Sequence, residues 1–242
     1  MKYIASCSFG KDSLAAIAAR IAHGEHIDDV LYCRIMFDDN ISAELPEHEE
    51  WIHCHAIPLL KSRYGLNTTI VQAKTTYTRQ FYKEYAKGGW IGQKYGFPML
   101  KGPWCNSLLK VGPLTEWQRA QGEHIQLIGI AADETKRIAR NSTPGKILPL
   151  VDYGMTEADA FNLCRKIDLL SPAYSSECTR LGCWFCHNQR ISELRRLYRE
   201  YPQLWQRLLA LDADSPRTFR PDWTVALLGE RFENESNQLC LW

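Results

Sequence analysis

Near the start of the chain a row of small and polar residues, Ser6-Cys7-Ser8-Phe9-Gly10-Lys11-Asp12-Ser13, separates two patterned stretches. Before it lies the apolar run Tyr3-Ile4-Ala5, and after it an alanine-rich helical pattern over residues 14–22. The order predicts a strand, a tight loop and a helix. Such a junction leaves unpaired N–H groups at the helix start, where the helix dipole favours an anion. Gly10 permits close backbone approach to a phosphate, Lys11 adds positive charge, and Ser8 and Ser13 add hydroxyl donors. The spacing is not that of a Walker A loop, which needs G-x-x-x-x-G-K-[ST]. Phosphate binding is the expected use of this stretch.

The rest of the chain repeats the alternation. Residues 30–37 form a nearly continuous apolar run ending in Asp38-Asp39-Asn40, as expected of a strand buried on both faces. Residues 46–64 have helical periodicity, with Pro46 in the first turn and Glu47, Glu49 and Glu50 near the positive helix end. Residues 67–71 predict a third strand and 108–121 a helix. Residues 125–130 are the clearest strand, and 146–150 a short fifth one. A helix over 156–168 has Thr156 as cap and Asp159 at the capping-box position.

Between them, residues 75–112 are rich in glycine and aromatics and predict a long loop that is either functional or carries short helices of its own. The expected fold class is therefore α/β: a Rossmann-like parallel sheet of about five strands with helices on both faces, over residues 1–175. A cysteine-rich loop and a helical subdomain follow over 176–242. In such sheets ligands bind at the carboxyl ends of the strands, which gathers the 8–13 loop, Asp38-Asp39 and the 133–140 loop on one edge.

With 45% hydrophobic residues, 24% charged residues and a net charge of +1 over 242 residues, no global field announces a nucleic-acid or membrane partner. No signal-peptide core is evident, and no run approaches the roughly 18 apolar residues of a spanning helix. A cytoplasmic location without a membrane partner is expected. There, nine cysteines do not suggest a disulfide framework. Cys7, Cys33, Cys54 and Cys164 fall within predicted elements and are expected to pack as small hydrophobes. Cys105, Cys178, Cys183, Cys186 and Cys240 fall in loops or at element ends. Cys183-Trp184-Phe185-Cys186-His187 fits a haem-attachment pattern, but that chemistry belongs to exported proteins.

Several stretches, in order, resemble the phosphoadenosine phosphosulfate (PAPS) reductase family within the PP-loop ATP pyrophosphatase superfamily. Ser8-Phe9-Gly10-Lys11-Asp12-Ser13 is similar to its S-x-G-K-D-S loop, and Phe37-Asp38-Asp39 with Glu44-Leu45-Pro46-Glu47 to its second-strand end and E-x-P-E. Trp104-Cys105-Asn106 with Lys110 and Pro113 resembles its C-(T/N)-x-x-x-K-x-x-P stretch. Gly129-Ile130-Ala131-Ala132-Asp133-Glu134 with Arg137 resembles its G-x-R-x-x-E-S-x-x-R loop, Ala131 standing where an arginine is common. Ser171-Pro172-Ala173-Tyr174 and Gly182-Cys183-x-x-Cys186 complete the series.

The resemblance implies ATP with Mg²⁺, held by residues 8–13, Asp38, Asp39, Gly129, Asp133, Glu134, Arg137 and Arg140, with Lys11, Asp12 and Arg137 in catalytic roles. It also implies that Cys105 joins Cys178, Cys183 and Cys186. Four thiolates suit a [4Fe–4S] cluster or, as the alternative, a Zn²⁺ ion.

Three functions follow as expectations. One is an ATP-cleaving enzyme that adenylates a substrate, with cluster-assisted sulfur transfer and a nucleic acid or a sulfur-donor protein as partner. The arginines of 190–207 and the aromatics of 77–104 then offer a nucleic-acid surface. The second is a PAPS or adenylyl-sulfate reductase using Cys240, although the tail Gln238-Leu239-Cys240-Leu241-Trp242 lacks that family's glycine and histidine. The third is a non-catalytic nucleotide-binding module with a structural metal.

Overall fold

A computed structural model describes residues 1–99 and 102–239. The chain divides into two compact units. One comprises Met1–Arg34, Leu45–Ala73 and Lys110–Tyr174, and the other Ile35–Glu44, Lys74–Leu109 and Ser175–Trp242. The second unit thus takes in two stretches, 35–44 and 74–109, that the sequence assigned to the first domain.

The first unit is a five-stranded, all-parallel sheet flanked by helices. Its strands are β1 (Lys2–Ser6), β2 (Asp29–Cys33), β3 (Thr68–Val71), β4 (His124–Ile128) and β5 (Lys146–Ile147), in the order β3-β2-β1-β4-β5. Its helices are α1 (Lys11–Ala22), α2 (Pro46–Trp51), α3 (Ile57–Tyr64), α5 (Gly112–Ala120), α6 (Thr135–Asn141), α7 (Pro149–Asp152) and α8 (Glu157–Lys166). A π-helical turn, Ile52–Ala56, joins α2 to α3 where Pro58 removes an N–H donor, and Gly65 ends α3 in the left-handed region at φ 69°.

Alternation along the strands explains burial on both faces. Ala5, Val30, Tyr32 and Leu127 join one core with Leu14 and Ile17 of α1, Ile52, Leu60, and Ala160 and Cys164 of α8. Ile4 and Leu31, pointing the other way, are equally buried. Among the described residues no helix is long and apolar enough to cross a membrane.

Two expected strands are shorter than their apolar runs. The 30–37 run stops as a strand at Cys33; Met36 then bridges antiparallel to Ser42, and Phe37 joins the second unit's core. The 146–150 run yields two strand residues, because Pro149 opens α7. Helix α6 occupies most of the stretch expected as the 133–140 loop.

The second unit is built on aromatic packing around α4 (Tyr77–Tyr82), with α9 (Ile191–Glu200), α10 (Pro202–Asp214) and α11 (Val225–Leu239). Phe37 lies 4.5 Å from Trp184 and 5.2 Å from Phe185, and Tyr77 lies 4.2 Å from Phe185 (ring centroids). The Trp184 indole N–H donates to the Ser42 carbonyl at 3.0 Å, satisfying the one polar atom of a fully buried ring. Helix α11 extends to Leu239; Cys240, Leu241 and Trp242 lie outside the described residues.

Candidate functional site

In a parallel sheet the crevice opens where strand order reverses. Here that point lies between β1 and β4, so the 7–10 loop and the 129–134 segment leave the sheet side by side. Gly129 makes the approach possible: a Cβ there would lie 2.5 Å from the Asp12 carbonyl oxygen and 2.6 Å from Ser13 Cα. Gly10, by contrast, has an ordinary φ of −77° and room for a side chain. The strained residue of the loop is Phe9, at φ 57°, whose fully buried ring packs edge-on against Tyr32 at 5.0 Å.

The N-cap residue of α1 is Gly10, which has no side chain to cap it. Lys11 N–H is met by the Tyr174 hydroxyl at 2.9 Å, while Ser13 donates to the Gly10 carbonyl at 2.9 Å. The loop is braced from beneath by two buried thiols. Cys7 accepts the Phe9 N–H, and Cys164 donates to the Lys11 carbonyl. Burial pushes Cys7 up to about 11 and Cys164 up to about 12, so both are neutral packing groups, as their sequence context predicted. Cys54, expected to be buried, is exposed on the π-helical turn.

The Lys11 ammonium is nearly buried, 2.6 Å from Asp12 and 3.8 Å from Glu157. The carboxylates of Asp12, Glu134 and Glu157 lie within 4.8 Å of one another, and among the described residues they are the group with cation-ligand spacing. At an effective dielectric near 20, each such pair repels by roughly 3 kcal/mol. Lys11 and Arg137, which reaches Glu134 at 2.6 Å, offset two of the three charges. A divalent cation that keeps part of its water shell, as Mg²⁺ does, suits one or two of these carboxylates.

Other expected site residues are engaged differently. Asp133 accepts the Glu157 N–H at 3.1 Å and so caps α8. Arg137 is held by Glu134, and Arg140 folds back to the Lys136 carbonyl. Asp38 and Asp39 belong to the second unit, where Asp38 pairs with Arg207 at 2.8 Å and Asp39 with Arg79 at 2.9 Å. Sequence reasoning missed Glu157 and gave Tyr174 no role. Glu157 was within reach, since it directly follows the predicted cap Thr156 at the same strand edge.

The cysteines meet in the second unit. Cys183 and Cys186 sit on one turn, closed by the Cys186 N–H on the Cys183 carbonyl at 3.0 Å. Burial, then the charges of Cys105, Cys186 and Cys183, drives the Tyr77 phenol well above its ordinary range. Burial and then Cys186 push Cys105 up to about 11, against stabilising N–H contacts from its own and the Asn106 backbone. Cys178 is buried, and its thiol donates to the Arg180 carbonyl at 3.2 Å.

Two buried ring nitrogens on residues next in sequence to Cys105 and Cys186, Trp104 Nε1 and His187 Nε2, have no hydrogen-bond partner. Orphaned donors next to gathered thiols fit a group that brings its own acceptors, as a cluster's sulfides do.

No family model matches the chain. A stretch of 126 residues, 48% of this chain, is 25% identical to the uncharacterized protein MJ0066 of Methanocaldococcus jannaschii. The match covers 26% of that protein, so the chain spans about a quarter of the relative's length.

Proposed function

We propose that this protein is a PP-loop enzyme of the PAPS reductase type that binds ATP with Mg²⁺ on the 8–13 loop and transfers its adenylyl group to an acceptor. The observation that carries this is the meeting, at the sheet's switch point, of a helix N-terminus opened by Gly10, a nearly buried lysine and three carboxylates. The N–H groups of α1 suit phosphate oxygens, and Asp12, Glu134 and Glu157 suit the cation that accompanies them. In the reaction an acceptor oxygen attacks the α-phosphorus, the bond to the bridging oxygen breaks, and pyrophosphate leaves with its charge met by Lys11; a Mg²⁺ ion, which Asp12, Glu134 and Glu157 would hold, would supply further positive charge there. Catalysis falls to Lys11 and Asp12; Arg137 serves by holding Glu134.

Cys105, Cys178, Cys183 and Cys186 are the residues that would hold an iron–sulfur cluster. Such a cluster supplies electron transfer or sulfur handling when bound. The gathered thiols and the orphaned Trp104 and His187 nitrogens favour it over zinc.

Product analysis tests the nucleotide chemistry. Incubation with ATP and Mg²⁺ at high enzyme concentration, with water as the default acceptor, yields AMP and pyrophosphate, and Lys11→Ala abolishes both. ADP and inorganic phosphate as products, or a Lys11→Ala variant of full activity, would overturn the proposal.

A further inference from the structure

The arginine-rich helix α9 was the obvious place to seek a nucleic-acid surface, but its charges are already matched. Arg195 pairs with Glu235, Arg196 with Glu200, and Arg199 with both Glu177 and Glu200, all at 2.6–2.8 Å. The unmatched charge lies elsewhere in the same unit. Residues 79–99 contain four Lys or Arg (Arg79, Lys83, Lys87 and Lys94) against a single acid, Glu84, in a chain whose net charge is +1. Arg79 is paired with Asp39 and Lys94 with Asp214, while Lys83 and Lys87 are exposed without a carboxylate partner among the described residues.

These two lysines flank a small built excursion. Its base is closed by the Tyr95 N–H on the Lys83 carbonyl at 2.8 Å and by the bridge between Glu84 and Lys94. Gly96, at φ 61°, seats that base against Ser215 and Pro216, where a Cβ would come within 2.7 Å of both. Within it Tyr85 and Tyr95 stack in parallel at 4.1 Å and 4°. Arg217 donates to the Tyr95 carbonyl and the Tyr85 hydroxyl, and its guanidinium lies over both the Tyr85 and Trp90 rings. At the tip Trp90 is 52% and Ile91 68% exposed.

We infer that this excursion is a stacking platform for single-stranded nucleic acid. Flat rings braced by a guanidinium stack on any base, and unmatched lysines beside them take the phosphates. The charge complementarity argues for a polyanion. The parallel rings argue for bases rather than for a lipid surface, against which only Trp90 and Ile91 would insert. This inference is independent of the nucleotide proposal, since its assay contains no ATP.

The test is fluorescence anisotropy of a labelled oligothymidylate with the full chain over a salt series. The wild type binds, and Trp90→Ala weakens binding roughly 5- to 150-fold, the range for losing one stacked ring. The double variant Lys83→Gln/Lys87→Gln lowers the salt slope by about 1.4, at roughly 0.7 for each of two phosphate contacts. Arg199→Gln on α9 leaves both unchanged. All four positions are exposed, and unchanged circular dichroism confirms that each variant folds. Absence of binding, binding indifferent to Trp90 and the two lysines, or binding to phosphatidylserine vesicles but not to the oligonucleotide would overturn the inference.

Discussion

Lys11, Gly129 and His48 show how single positions set the behaviour of the first unit. Gly129 exists as glycine because the first turn of α1 occupies the space of its missing side chain. Gly129→Ala is expected to lower stability by about 1–3 kcal/mol, as overpacking does, and to displace the loop. A denaturant midpoint compared with that of the wild type measures the first effect. An unchanged midpoint would mean the two segments do not press together.

His48 is fully buried, with Nδ1 2.8 Å from the Ser171 hydroxyl, and burial lowers its pKa from 6.5 to about 4. Between those values the unfolded chain takes up a proton that the folded chain refuses, so stability falls as pH drops from 6.5 towards 4. The lost stability is about 3 kcal/mol at 1.4 kcal/mol per unit. His48→Gln is expected to flatten that acid limb in unfolding curves from pH 7 to pH 4. Coincident profiles for the two proteins would remove His48 as the cause.

At the scale of elements, capping was the most legible feature. Thr156 and Asp159 form the reciprocal cap expected from their spacing, and the cap also fixes where Glu157 begins α8. Thr156→Ala is expected to cost about 1 kcal/mol and to weaken Mg²⁺-dependent nucleotide binding through Glu157. Thermal melts with and without ATP–Mg²⁺ read the two effects separately.

Strand length was less legible, because an apolar run reports burial rather than pairing. Residues 30–33 meet β3, but Met36 and Phe37 are apolar for a different core. Pairing partners were equally hidden. Nothing in the sequence showed that Asp38 and Asp39 would be held by Arg207 and Arg79. Side-chain partners from distant segments depend on tertiary placement that periodicity does not encode.

For the molecule as a whole, the alternation of strands and helices was enough to predict a parallel sheet, and the order β3-β2-β1-β4-β5 puts its reversal beside the 8–13 loop. The second unit was harder to foresee, because it is assembled from three separated stretches held by rings rather than by a sheet. That assembly brings Cys105 to Cys183 and Cys186 across about eighty residues of sequence. Anaerobically isolated protein is expected to carry iron and a broad visible absorption band, both lost in a Cys183→Ser/Cys186→Ser variant. A colourless protein holding one zinc would replace the cluster with a structural ion.

The central claim is that the first strand–helix turn binds ATP through Lys11. Calorimetric titration of ATP–Mg²⁺ into the wild type and Lys11→Ala tests it most directly. The expected result is one site per chain, weakened roughly 10- to 150-fold in the variant, as for loss of a charged hydrogen bond. No heat of binding in the wild type, or equal affinity in the two proteins, would contradict it.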